Sequence, residues 1–183
     1  MRSLDDFLAH YRRQRAWTRA LVRAIPDEHF GWAPAPDAFS CGDLVRHLIQ
    51  AEGFWRKLLL AAVAGEKHDP FGLGGSATER MAAFRPRNLE VSHSPRLGET
   101  AAACLAAWEE VQERNERELA TITPEQLSIV VEHPLTRLRA PLWEMLLVVL
   151  EHEAHHRGQL SAYLKMLGVP QPPVFGLDGE ELA

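Results

Sequence analysis

Four long segments of this 183-residue chain carry apolar residues at alternating steps of three and four, the spacing of one buried helical face. Each segment spans about 20–27 residues and would form a helix about 30–40 Å long. In chain order, these faces consist of Leu4, Phe7, Tyr11, Gln14, Thr18, Leu21 and Ile25; Leu44, His47, Leu48, Ala51, Trp55, Leu58 and Ala62; Leu97, Ala101, Cys104, Trp108, Val111, Asn115, Glu118 and Leu119; and Leu142, Met145, Val149, His152, His156, Gln159, Tyr163 and Met166. Each helix must bury its apolar face, so the pattern predicts an all-α fold, a four-helix bundle.

Residues at the ends of these segments indicate where the helices begin and stop. Ser3 with Asp6, and Ser40 with Asp43, have the S-x-x-D spacing in which the serine and the acid cap the first free N–H groups. Pro141 starts the last helix. The predicted stops are Pro26, Gly65 and Gly168.

The connections between the helices are less regular. Residues 66–97 show no period, yet they exceed the roughly 12–15 residues of an ordinary structureless loop. We therefore expect a long, partly ordered connection or a lid between the second and third helices, with a short helical turn at 78–84. Pro124 opens one capped turn, and residues 127–140 form either an extended hairpin or a plain connection. The proline-rich tail at 169–183 adds no helix, and the pattern predicts a single domain over the whole chain.

Composition narrows the class of partner. Lysine and arginine total 20 against 25 acidic residues, a net charge of −5, which removes the general attraction to nucleic-acid phosphates. We therefore expect a small-molecule substrate and no nucleic acid. No apolar run approaches the roughly 18 residues of a membrane span, and the N-terminal residues do not resemble a secretory leader. Cys41 and Cys104 are too few for a disulfide framework, so we expect a cytoplasmic location.

Three of the nine histidines stand where a bundle core calls for hydrophobic residues. His152 and His156 lie one turn apart on the last helix and project from the same side. His47 occupies the apolar face of the second helix. A buried imidazole needs a polar partner, and a divalent cation satisfies several at once. The pattern predicts a metal site formed by His47, His152 and His156, although simple hydrogen bonding in the core is the alternative.

The other six histidines have ordinary explanations. His155 falls about 100° around the helix from His156 and should point elsewhere. We expect His10, His29 and His133 at the surface or in turns. His68 and His93 lie in the irregular connection and could at most line a pocket.

Residues 152–156 also match H-E-x-x-H, the zinc-protease motif in which Glu153 would be the general base. The extended motif requires a glycine and a histidine where this chain has Gln159 and Ala162. The glutamates at 180–181 could be a third ligand only if the tail folded back. Glu153 is expected beside the site, off the buried face, so a peptidase is the weaker hypothesis.

Two motifs resemble those of the DinB/YfiT-like metalloprotein superfamily. The sequence HEAHHRGQLSAYLKMLGVPQPP, residues 152–173, resembles the family's C-terminal signature. The sequence GDLVRHLIQAEGFW, residues 42–55, resembles its histidine motif on helix two. The resemblance extends over residues 4–173 in segment order and includes the link GWAPAPDAFS at 31–40.

This resemblance implies a DinB-type bundle, often a homodimer, with one histidine from helix two and two from helix four on the metal. By position these are His47, His152 and His156, and the ion would be nickel, zinc, iron or manganese. Members include S-transferases that use bacillithiol or mycothiol, other thiol-dependent isomerases and proposed metal-dependent hydrolases. The substrate does not transfer with the motif.

Three neutral imidazoles leave a coordination position open, as catalytic sites do. The ion could then lower the pKa of bound water or of a bound thiol, so no catalytic side chain is required or assigned. Gln159 could hydrogen-bond the bound group, and Arg157 could bind an anionic cofactor or form only a surface salt bridge. Cys104 is expected to be inert core. The leading hypothesis is a low-molecular-weight-thiol S-transferase of bacillithiol type. The alternatives are a metal-dependent hydrolase and a noncatalytic metal- or ligand-binding bundle.

Overall fold

The computed structural model describes residues 3–92 and 95–172 of the chain. The helices are α1 (Leu4–Arg23), α2 (Cys41–Val63), α3 (Ala77–Ser92), α4 (Ala101–Leu119) and α5 (Leu142–Met166), and the strands are β1 (Val130–Glu132) and β2 (Arg139–Pro141). The four predicted helices correspond to α1, α2, α4 and α5, which pack into the bundle. The predicted all-α fold, a four-helix bundle, is therefore confirmed, with a short hairpin as its only strands in the described ranges. His93, the glutamates at 180–181 and most of the tail lie outside the described residues.

The helix ends follow the predicted capping residues. The Asp6 N–H donates to Ser3 Oγ at 3.1 Å, and Ser40 and Asp43 form a reciprocal capping box. Gly65 and Gly168 have positive φ angles of 74° and 69° just after α2 and α5. Glycine adopts this left-handed conformation without steric cost, which explains why the helices stop there. None of the helices in the described ranges has the length and apolarity that a membrane span requires.

The connection between α2 and α4 is more ordered than predicted. In place of a short turn at 78–84, it contains α3, a helix of 16 residues. Ser76 and Glu79 bind each other's backbone N–H groups at the start of this helix, a capping pair that the sequence interpretation overlooked. The following bundle helix begins at Ala101, after its cap Thr100, and not at the predicted Leu97.

Two buried arginines fasten α3 to the rest of the molecule. Arg80 Nε donates to the Leu135 carbonyl at 2.7 Å, beside the hairpin. At the other end of α3, Arg46 Nε of α2 donates to the Ser92 carbonyl at 2.6 Å. These contacts join residues far apart in the chain, so local periodicity could not have predicted how far α3 extends.

The segment at 127–140 forms the hairpin, one of its two predicted alternatives. Strands β1 and β2 are antiparallel, with Val131 opposite Ala140. Both residues are buried, whereas their neighbours along the strands are more exposed. This alternation anchors the hairpin against the bundle core, close to the start of α5.

The buried face of α5 differs from the predicted one in its second half. Leu160 and Leu164 are fully buried, whereas Met166 is 64% exposed and Gln159 is only half-buried. Apolar residues occur at helical spacing on the predicted face, with Tyr163 and Met166, and on the observed face, with Leu160 and Leu164. Periodicity alone could therefore not choose between the two faces. As a result, His152 and Gln159 lie at the margin of the core and are half-buried.

Gly98 should be the least replaceable glycine near α4. Its φ is 113°, and a Cβ atom there would lie 2.8 Å from both the Ala103 Cβ and the Cys104 nitrogen. We expect Gly98→Ala to lower the free energy of unfolding by about 2 kcal/mol because it combines backbone strain with a clash. Urea denaturation measures this change. Gly53→Ala, in open space on α2, is the control and should leave stability equal or slightly higher.

Candidate metal centre

The structure brings the three core histidines together. His47 comes from α2 and the other two from α5, and these two helices pack directly against each other. His152 Nε2 lies 3.1 Å from His47 Nε2 and 3.2 Å from His156 Nε2. Each of the three rings therefore directs its Nε2 atom toward a common point. His47 and His156 are each 8% exposed, and His152 is half-buried.

These distances suit a divalent cation. Imidazole nitrogens about 2.0–2.1 Å from a tetrahedral ion lie about 3.3 Å from one another. The observed separations are close to that value. A catalytic metal site typically has three protein ligands and keeps a fourth position for water or substrate. Three imidazole nitrogens would supply these protein ligands.

A hydrogen bond orients one of the three rings. His156 Nδ1 lies 2.7 Å from Gln159 Oε1. The amide oxygen can only accept, so Nδ1 carries the proton and the lone pair of Nε2 points toward the other histidines. Fixing the tautomer of a ligand through its second nitrogen is the usual role of a residue behind a metal ligand. Gln159 thus binds His156 in this structure.

The environment of His152 and His156 favours the neutral form that binds metals. Burial, and then the neighbouring histidines, lower the pKa of His152 to about 2. Burial also lowers the pKa of His156. Neutral imidazoles have free lone pairs at neutral pH, so a cation does not have to displace a proton. Phe39 stacks on His47, with ring centroids 5.3 Å apart, and restrains the third ring.

A family comparison agrees with this architecture. The profile of the DinB superfamily matches residues 10–160, a range that includes α2 and all three histidines. The chain belongs to the DinB superfamily. One DinB-like relative is the uncharacterized protein YjoA of Bacillus subtilis strain 168, which is 23% identical over 172 residues. That alignment covers 93% of this chain and 95% of YjoA.

Solved DinB-like structures share the fold at low identity. A DinB-like protein from Bacillus cereus ATCC 10987 superposes with a TM-score of 0.67 at 16% identity, covering 95% of this chain and 99% of the other. YfiT from Bacillus subtilis has a TM-score of 0.65 at 16% identity, with coverage of 91% and 88%. YfiT is described as a probable metal-dependent hydrolase with an unusual four-helix bundle topology. These similarities establish the fold.

His133 begins the turn of the hairpin, one of the two positions that the sequence predicted, but its ring is half-buried and does not lie free at the surface. Its ring packs against Phe54 and Trp55, with centroid distances of 5.5 and 5.0 Å. Its Nδ1 lies 3.3 and 3.2 Å from the backbone N–H groups of Leu135 and Thr136 and accepts from both. The hairpin packs against the second half of α2 and half-buries the ring, which only the tertiary structure could reveal.

This enclosure predicts an acid-sensitive contribution to stability. Burial lowers the pKa of His133 to about 4, from 6.5 in an unfolded chain. Below about pH 6.5 the unfolded state therefore binds a proton that the native state does not, and stability falls as the pH decreases toward 4. Between pH 7 and pH 5, we expect the free energy of unfolding of His133→Asn to decrease by about 1–2 kcal/mol less than that of the wild type. Urea denaturation with a chelator measures the difference, and equal losses would contradict the expectation.

Two other candidate residues of α5 are committed to the core. Glu153, expected beside the site, is 3% exposed and accepts a hydrogen bond from Thr18 Oγ1 at 2.5 Å. Arg157 is 8% exposed, donates to the Gln14 side chain and lies over the Trp17 ring. Both residues are buried because α1 covers this face of α5, and the sequence did not predict this packing. Glu153 is therefore too buried to act as the general base of an H-E-x-x-H site. The Arg157 guanidinium contacts α1 and is not directed toward a cofactor.

The cysteines are buried thiols. Cys41 and Cys104 are both fully buried, and burial raises the pKa of each to about 11. A thiol with so high a pKa is a poor nucleophile at neutral pH. Cys104 therefore fits the inert role predicted for it.

The sequence interpretation overlooked a buried set of charges beneath the histidines. Arg15 of α1 and Glu52 of α2 are 2% and 5% exposed, although both residue types are usually at the surface. Each lies about 100° around its helix from the predicted buried face, so the local pattern contains no signal of their burial. Only the packing of the helices shows that the two charges meet.

Proposed function

We propose that this DinB-superfamily protein is a divalent-metal-dependent enzyme whose ion is held by His47, His152 and His156. One observation supports the proposal most directly: the three Nε2 atoms converge, with separations of 3.1 and 3.2 Å from His152. Nickel, zinc, iron and manganese all accept imidazole ligands. When bound, such an ion would act as a Lewis acid and lower the pKa of water or a thiol at its open position.

The protein side chains would bind and orient the ion. Gln159 would hold His156 in the ligating tautomer, and Phe39 would restrain the ring of His47. His152 is the half-buried member, so substrate would approach from its side. The buried cysteines are poorly suited as nucleophiles, which favours a nucleophile delivered from solution.

We propose a low-molecular-weight thiol of the bacillithiol type as that nucleophile, which makes the protein an S-transferase acting on a small electrophile. The resemblance to thiol-dependent members supports this reaction. The description of YfiT as a probable metal-dependent hydrolase favours a second candidate, in which water is the nucleophile. A single domain, a homodimer and a cytoplasmic location remain predictions.

A turnover screen separates these reactions. Untagged protein is loaded separately with nickel, zinc, iron or manganese and incubated with panels of electrophiles and esters, with and without bacillithiol or mycothiol. Thiol-dependent loss of the electrophile would support the transferase, and thiol-independent hydrolysis would support the hydrolase. Stoichiometric metal without turnover of either panel would favour a noncatalytic binding protein. Failure to bind any of the four ions would overturn the proposal.

Gln159 offers a more subtle test of the site. We expect Gln159→Ala to weaken metal binding about 10- to 100-fold, because His156 loses the acceptor that orients it. Gln159→Glu keeps an acceptor at this position and should retain most of the affinity. Competition with a chromophoric chelator measures both constants. Equal affinities for the alanine variant and the wild type would show that Gln159 does not support the ligand.

A further inference from the structure

The bundle core contains an ion cluster that links the two helices bearing the histidines. Arg15 Nη2 of α1 contacts Glu52 Oε1 of α2 and lies 3.3 Å from Glu153 Oε2 of α5. The three side chains are at most 5% exposed. One guanidinium therefore joins α2 to α5 in the interior. We call Arg15, Glu52 and Glu153 the core ion cluster.

Hydrogen bonds from α1 and α4 hold Glu52 in place. Its Oε2 accepts from Tyr11 Oη at 2.7 Å and from Asn115 Nδ2 at 3.1 Å. Its Oε1 accepts from Trp108 Nε1 at 2.6 Å. The Arg15 guanidinium also stacks over the Trp108 ring, 4.3 Å from its centroid. Every helix of the bundle thus contributes to the cluster or binds it.

Stability alone does not explain such a cluster. Removing charges from water costs free energy that their attraction often fails to repay, and apolar replacements of buried ion pairs are frequently neutral or stabilising. In some proteins, buried ions fix the alignment of helices instead. Their contacts are directional, so they specify one alignment, whereas apolar contacts tolerate several. Here the alignment concerns α2 and α5.

The positions of the carboxylates relative to the histidines give this alignment a purpose. Glu153 directly follows His152 in α5, and Glu52 lies less than two turns beyond His47 in α2. A slide or rotation of one helix against the other would break the Arg15 contacts and separate the histidines together. Metal ligands must be held within about 0.5 Å of their working positions, which makes such a slide costly for binding.

We propose that Arg15 is a positioning residue for the metal site: by contacting Glu52 and Glu153, it fixes α2 against α5 so that the three histidines converge. The inference rests on the proposed metal function, but it concerns residues that touch neither the ion nor the substrate. It gives the core ion cluster a role in preorganising the ligands.

The test compares the wild type with a neutral variant that combines Arg15→Met, Glu52→Gln and Glu153→Gln. These changes remove all three charges but keep side-chain volume and an acceptor at both carboxylate positions. We expect a folded protein whose dissociation constants for Zn²⁺ and Co²⁺ rise about tenfold, within the range seen when supporting residues are lost. The visible spectrum of the Co²⁺ form should also change, since it reports the coordination geometry.

Two further variants keep the test decisive. Glu153→Gln alone removes the ionic contact between Arg15 and α5 but retains an acceptor for Thr18. If the neutral variant does not fold, the metal affinity and the Co²⁺ spectrum of Glu153→Gln test the proposal instead. Ile25→Ala, in the core but outside the cluster, should lower stability without altering metal affinity or the Co²⁺ spectrum. Wild-type affinity and spectrum in a folded cluster variant would overturn the positioning role alone. Absence of metal binding by the wild type would instead overturn the proposed function and this inference together.

Discussion

Replacing any one of His47, His152 and His156 with alanine is expected to weaken divalent-metal binding by at least about 100-fold. Losing a residue behind a ligand typically costs 10- to 100-fold, and losing the ligand itself should cost more. The Nε2 atoms converge, so each ring would supply one of three donors to the proposed ion. Any turnover that depends on the ion should decrease in parallel.

The measurement is metal stoichiometry after dialysis, together with Zn²⁺ affinity by chelator competition, on untagged protein. His155→Ala is the control on the same helix. The His155 ring does not point away as predicted but contacts the His156 ring, with centroids 4.9 Å apart, yet it is exposed and contributes no nitrogen to the histidine cluster. This variant should retain the wild-type affinity. Stoichiometric metal in all three alanine variants would show that the ion binds elsewhere, and circular dichroism would establish that each variant is folded.

The largest expected effect on stability comes from Glu52→Ala. The change leaves Arg15 buried without its nearest carboxylate, and breaking one partner from a buried ion pair costs about 3–5 kcal/mol. It also deprives the donors of Tyr11, Trp108 and Asn115 of their acceptor, which adds to the loss. We expect a decrease of at least about 4 kcal/mol in the free energy of unfolding.

Denaturant titration with a chelator present measures this stability without a contribution from bound metal. Glu52→Gln keeps the shape and one acceptor oxygen, so its loss should be smaller. Glu113→Ala removes an exposed glutamate from α4 and should change stability by less than about 0.5 kcal/mol. A loss for Glu52→Ala no larger than that of Glu113→Ala would mean that the core ion cluster contributes little to folding.

The contrast between Glu52→Ala and the neutral triple variant separates two properties of buried ions. One orphaned charge in the core is costly, whereas removing all the charges together need not be. If the cluster positions the histidines, the neutral variant should remain folded yet bind metal less tightly. Stability and metal affinity would then change independently, which a purely structural cluster would not produce.

Much of the fold could be predicted because the relevant signals are local. The stripes of α1, α2 and α4 and the caps at Ser3 and Ser40 each depend on residues within a few positions of one another. The same holds for the i, i+4 spacing of His152 and His156. Polar rings on apolar faces were conspicuous enough to select three histidines from nine.

Predictions that needed distant contacts were incomplete or wrong. The two ends of α3 are held by contacts from Arg80 to the Leu135 carbonyl and from Arg46 to the Ser92 carbonyl. The burial of the His133 ring depends on Phe54 and Trp55 of α2. Glu153 was expected beside the site, and Arg157 at an anionic cofactor or in a surface salt bridge, yet α1 covers both. None of these partners is near in sequence.

The sequence by itself determined four amphipathic helices, the N-terminal caps of two of them and three histidines in places that hydrophobic residues should occupy. Helical periodicity and capping are properties of neighbouring residues. Only the tertiary structure decided which side of α5 is buried, how far α3 extends and which charges meet in the core. Amphipathicity states that a face must be buried, but the partner is chosen by packing among all the helices. That choice brings His47 to His152 and places Arg15 between the two carboxylates beneath them.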